Sequence, residues 1–154
     1  MHTTQRPIRR SADQIEQLVR AVEQCTLAPA EFSHHAHMTV AIWYLAHLPF
    51  DAAADAMRAT IQRFAGHYGL TQLYHETITQ FWMLLLHHYL DANPQLGLAD
   101  ATYHALAELG SMQPVFRHYS RERVFSDQAR REWVAPDLIP MPAGTAGSAA
   151  MSEH

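Results

Sequence analysis

Three histidines and an acid carry the chemistry this sequence suggests. They are His34 and His37 in Glu31-Phe32-Ser33-His34-His35-Ala36-His37, and His75 with Glu76 in Tyr74-His75-Glu76-Thr77-Ile78-Thr79. Both stretches lead into strongly apolar sequence, where an imidazole or carboxylate is costly unless something satisfies it. Neutral imidazole is the commonest metal ligand. Three imidazoles with an adjacent carboxylate and no thiolate suit one transition-metal ion, iron or copper first, with zinc or nickel as alternatives, rather than calcium or magnesium. Three protein ligands leave a coordination position open, as a catalytic metal requires. Iron or copper would then oxidise a small organic substrate with dioxygen. Zinc or nickel would instead act as a Lewis acid, with Glu76 as general base toward bound water. The non-enzymatic alternative is a helical interaction module whose histidines form a buried polar network.

The elements must present these groups together. Successive helix residues turn by about 100°, so His34, His37, Ala41, Leu45 and Leu48 share one face, flanked by Met38 and Tyr44. His35 is expected toward the side of that face. Ala41, one turn beyond His37, leaves room where a leucine would fill the space. Histidines three residues apart can bring both rings to one ion, as in metal-binding bundles. In the second stretch Ile78, Trp82, Leu85 and Tyr89 form the main stripe. His75 and Thr79 lie on its flank, and Glu76 about a further 100° round. His75 and Glu76 can therefore share an ion only near a helix end or between two helices. Otherwise Glu76 orients a ligand or works as an acid or base beside the site. Tyr44 and Arg121 complete the candidate catalytic set with Glu76. A guanidinium from the run Arg117-His118-Tyr119-Ser120-Arg121-Glu122-Arg123 could grip a substrate carboxylate or phosphate, although such runs are more often solvated or salt-bridged surface. His67, His104 and His118 have no partner at ligand spacing. Trp43, Trp82 and Trp133 read as core or strap anchors, and Cys25 has no base near it in sequence.

The pattern predicts helices throughout. Ser11 with Gln14 opens the first as a capping box, and Ile15, Leu18, Val19 and Val22 mark its apolar face. The second covers roughly 31–48. Asp51 caps a third that ends near Gly66 or Gly69, a fourth runs from about Leu73 to Asp91, and a fifth covers 99–109. Phe81 to Leu86 is apolar on every side, which implies a central helix. Ser126 caps a short helix reaching Trp133. Pro136, Pro140 and Pro142 then force an extended strap over 135–142, expected to pack on the bundle through Leu138 and Ile139. The expectation is an all-α helical bundle of about five main helices, with a short C-terminal helix and a proline-rich strap. Residues 1–10 form a flexible arm, 11–142 one metal-binding domain, and 143–154 a disordered tail.

Composition bounds the rest. The chain has 154 residues, 48% hydrophobic and 17% charged, which fits one globular domain and excludes a disordered chain. Its net charge is −4 with histidine neutral, and no basic footprint for nucleic acid forms. The expected partner is a small-molecule substrate, with no nucleic acid and no membrane; a homodimer is compatible with so apolar a bundle. The longest apolar run is far too short to span a bilayer. One cysteine precludes an internal disulfide and fits a reducing cytoplasm, and no secretion signal is expected.

Three stretches together, Glu31-Phe32-x-His34-x-x-His37, Tyr74-His75-Glu76-Thr77-x-Thr79, and Tyr119-Ser120-Arg121-Glu122-Arg123 with Trp133-Val134-x-Pro136-Asp137-Leu138, resemble a group of short bacterial all-helical proteins. The resemblance spans most of residues 27–142. It implies that His34, His37, His75 and Glu76 belong to one shared pattern and His35 does not, and it implies no activity. At the level of the fold alone, the chain is similar to DinB-like metal-binding four-helix bundles, whose ligands differ in order and spacing.

Overall fold

The computed structural model describes residues 5–142. Among them are eight α-helices and no strand: α1 (Ala12–Glu23), α2 (His34–His47), α3 (Phe50–His67), α4 (Glu76–Ala92), α5 (Leu98–Leu109), α6 (Gln113–His118), α7 (Arg121–Val124) and α8 (Asp127–Arg131). Single 3-10 turns stand at Pro29–Glu31 and Thr71–Leu73. The molecule is thus an all-α bundle of five long helices, followed by three short ones where the pattern predicts one. The tail expected over 143–154 and the first four residues of the arm lie outside the described residues.

Helix α2 is the hub and packs against α1, α3, α4 and α5. Its segment Met38 to Ile42 is buried on every side. Helix α4 lies beside it, with Phe81 to Leu86 all buried, as an apolar run without a polar face demands. Helix α1 opens with the predicted capping box, in which Ser11 and Gln14 bond each other's backbone. No helix among the described residues is long and apolar enough to cross a membrane.

Two helices start later than their periodicity suggests, and both starts shape the site. Pro29 diverts residues 29–31 into a 3-10 turn, and Ser33 then caps α2 by accepting the Ala36 N–H at 3.2 Å. His34 is therefore the first residue of α2. Helix α4 begins at Glu76 because His75 occupies the cap, its Nδ1 accepting the Ile78 N–H at 3.1 Å. Serine, threonine and the Asx residues dominate this role, so an imidazole cap is invisible to sequence pattern.

The strap is held differently from the expectation. Leu138 and Ile139 are 56% and 46% exposed, so their side chains do not anchor it, although their backbones bond to His118. Polar contacts do. Tyr119 donates to the Val134 carbonyl at 2.6 Å, Arg123 Nε to the Ala135 carbonyl at 2.5 Å, and Ser120 Oγ to Asp137 at 2.6 Å. From α4, Thr77 donates to the Glu132 carbonyl at 2.7 Å and accepts the Val134 N–H at 3.1 Å. The third stretch of the resemblance is a clasp that closes the C-terminal segment on α4.

Candidate functional site

His34, His37 and His75 line one cavity of about 350 Å³, bounded by α2, α3, the turn before α4 and α4 itself. Ala41 lies in its wall, where its small side chain leaves the space open. Met38, Met57 and Met83 contribute thioethers, and Tyr74 and Trp82 contribute rings. Among the described residues, no aspartate, glutamate, lysine or arginine lines it. The three rings share a wall, but their nitrogens are not equally available.

The His34 ring meets Trp82 edge-on, with centroids 4.7 Å apart. Its Nε2 is buried and has no protein partner. Burial, then the neighbouring His37 and His35 rings, push His34 down to about 4, against the pull of the Ser111 carbonyl. The ring is therefore neutral at pH 7. His37 is stacked flat on Phe32 at 3.7 Å and donates Nδ1–H to the Ser33 carbonyl at 2.9 Å. A carbonyl can only accept, so His37 keeps its lone pair on Nε2. Burial lowers its pKa as well, opposed by the carbonyls of Ser33 and Phe32.

His75 is committed at both ends. Its Nδ1 caps α4, and its Nε2 donates to the Val124 carbonyl at 2.6 Å. A metal would have to displace one of these bonds, so the expected ligand role of His75 gives way to a structural one. Glu76 is turned away from the cavity. Its carboxylate accepts from Arg58 Nε at 3.0 Å and Nη2 at 2.7 Å, from Tyr74 at 2.5 Å and from Gln80 at 3.2 Å. It faces a separate groove with Arg58, Arg130 and Arg131, and Tyr74 is the wall common to both. Burial alone would raise the Glu76 pKa, but Arg58 and then Tyr74 overcome it and hold the carboxyl below its ordinary value. Four donors leave Glu76 a poor general base. The geometric tension between neighbouring residues on a helix is resolved by sending them to different partners.

The other candidates lie elsewhere. Tyr44 donates to Glu23 at 2.6 Å and pairs with Thr60 at 2.7 Å, between α1 and α3. Arg121 lies 4.1 Å over the Phe116 ring and is not among the residues that line the cavity. His35 is buried rather than lateral, its Nε2 donating to the Gly110 carbonyl at 3.1 Å. Any side chain at Gly110 would collide with that ring and with the Leu106 carbonyl, so glycine permits the approach. Among the described residues, no group of three or more histidine, cysteine, aspartate or glutamate side chains is placed to hold a metal ion. The pre-formed four-ligand centre is absent there, because His75 and Glu76 serve the start of α4.

No family model matches this chain, and no curated protein or solved structure matches it.

Sequence reasoning missed two contributors. Trp82 reads as a core anchor, yet its Nε1 is buried without a protein partner beside His34. Arg58, which neutralises Glu76, stands on the polar face of α3 with no local signal at all.

Proposed function

We propose that this chain binds a small, uncharged, largely apolar organic molecule in the cavity between α2, α3 and α4. One observation carries the reading: a cavity of about 350 Å³ is walled mostly by apolar side chains, with His34, His37 and His75 and no charged side chain among them. A mostly apolar cleft with few convergent polar groups is the usual form of a ligand site, and 350 Å³ falls at the small end of the range for one. The chargeless wall argues against carboxylate or phosphate ligands, which would be desolvated there without a counter-charge. A titration followed by amide NMR with toluene, indole and benzoate tests this. Toluene or indole should perturb residues around His34 and Trp82, and benzoate should not. Ala41→Phe should fill the cavity and abolish binding in a folded protein. Failure of every uncharged aromatic to bind at millimolar concentration would contradict the reading.

A second reading places a transition-metal ion on His34 and His37, in a metal-dependent enzyme that oxidises a small organic substrate with dioxygen. What supports it is that His37 ties its Nδ1–H to a backbone carbonyl, the arrangement that orients histidines toward metals, while three thioethers share the wall. Two imidazoles with thioethers are soft, neutral donors and favour copper in its reduced state over iron, zinc or nickel. Bound there, copper would supply electron transfer and dioxygen activation; the chain would supply orientation and a dry cavity. The hydrolytic alternative loses its general base with Glu76. Copper(I) titration against a chromogenic chelator, with His34→Ala and His37→Ala as controls, separates this reading from the metal-free one.

A further inference from the structure

One nitrogen of the cavity wall is both uncommitted and unsealed, and its neighbours fix its state. His37 stands in the wall on the first turn of α2, beside Met38. Its Nδ1–H goes to the Ser33 carbonyl at 2.9 Å, which leaves the lone pair on Nε2. The ring plane is set as well, lying flat on Phe32 at 3.7 Å, and Phe32 meets Phe64 edge-on at 4.9 Å. His37 Nε2 has no partner among the described residues and is not sealed from solvent. The unpartnered Nε2 of His34 and Nε1 of Trp82 are sealed, so they are not open to a ligand as the cavity stands. The donors of the wall are already spent. Tyr74 gives its hydroxyl proton to Glu76, Thr79 donates to the His75 carbonyl at 2.8 Å, and both His75 nitrogens are engaged.

We propose that His37 Nε2 anchors the ligand by accepting a hydrogen bond from its neutral N–H or O–H group. The cavity then selects such donors over molecules of the same shape that can only accept. A ligand whose polar atom is an ether or carbonyl oxygen would leave that oxygen unpaired in an apolar cleft, whereas an N–H meets a waiting lone pair. The thioethers of Met38, Met57 and Met83 are weak acceptors and do not compete with an imidazole nitrogen, but they make favourable contacts with an aromatic body. A charged donor such as an ammonium finds no counter-charge in the wall. The ligand class is an uncharged hydrogen-bond donor on an apolar body, and this rests on the reading of the cavity as a small-molecule site.

The test compares indole with benzofuran, which has the same fused rings and an ether oxygen in place of the N–H. Calorimetric titration of the full chain should find indole about fivefold tighter, the worth of one net hydrogen bond. In nitrogen-15 spectra, saturating indole should move the His37 Nε2 resonance upfield, toward that of a protonated nitrogen, and benzofuran should not. His37→Phe keeps a ring against Phe32 and removes the acceptor. It should bring the two affinities within about twofold of each other and leave benzofuran within about twofold of its original value. If that variant does not fold, the resonance shift in the unaltered chain decides. Benzofuran binding as tightly as indole, or a shift at His34 in place of His37, would overturn the assignment and spare the pocket. If neither compound binds, both fall.

Discussion

His75 joins the start of α4 to Val124 across 49 residues of chain, donating Nε2–H to the Val124 carbonyl at 2.6 Å. With its other nitrogen it caps the helix it precedes. A neutral imidazole has one donor and one acceptor, and here each has a partner. His75→Ala should therefore cost about 2–3 kcal/mol, combining a lost cap with a carbonyl deprived of its donor. Chemical denaturation measures this. A loss below about 0.5 kcal/mol would return His75 to the list of free ligands.

The pairing of Glu76 with Arg58 predicts a pH signature. The carboxyl is held below its ordinary value in the folded chain, so its contribution is complete above the normal carboxylate range and disappears as pH falls through the folded-state value. Glu76→Gln should lower stability at pH 7 by about 1–2 kcal/mol, the modest end of the range because the Arg58 side chain is 33% exposed. The gap between variant and parent should close on acidification. Denaturation midpoints between pH 7 and pH 3 check the trend.

His34 acts in the same direction through a different cause. Burial holds its pKa near 4 against an ordinary 6.5, so the unfolded chain takes up the proton first. Its stabilisation is full above about 6.5 and is lost as pH falls from there toward 4, to an extent of up to about 3 kcal/mol. His34→Asn should flatten the stability profile across that window and leave the profile above it unchanged. An unaltered slope would mean that His34 has the same proton affinity in the folded and the unfolded chain.

Gly110 offers a sharper steric test. Gly110→Ala should destabilise by about 2 kcal/mol or more, since its methyl group meets both the His35 ring and the Leu106 carbonyl. Thermal melting of the variant measures it, and a melting temperature within a degree of the parent would contradict the packing of α5 on α2.

Much of the fold follows from residues whose periodicity speaks for itself. The apolar faces of α1 and α4 and the capping box at Ser11 are legible because spacing alone decides which side is buried. His34, His37 and Ala41 reach one cavity for the same reason. The roles of His75 and Glu76 are not legible, because a cap and an ion pair depend on what faces them: Ile78 N–H and the distant Val124 carbonyl in one case, Arg58 of α3 in the other. Histidine adjacent to glutamate looks like chemistry in sequence and serves a helix start in the fold. The strap misleads in a related way, since Leu138 and Ile139 are apolar while the contacts that fix it run through Tyr119, Ser120, Arg123 and Thr77.

The central claim is that a small uncharged molecule occupies the cavity beside His34. A crystal structure of the chain soaked with 4-bromophenol measures this directly, because anomalous scattering places the bromine without ambiguity. The account expects a bromine peak inside the wall formed by Ala41, Met57 and Trp82. Well-diffracting crystals at saturating 4-bromophenol with no peak in that cavity would contradict it.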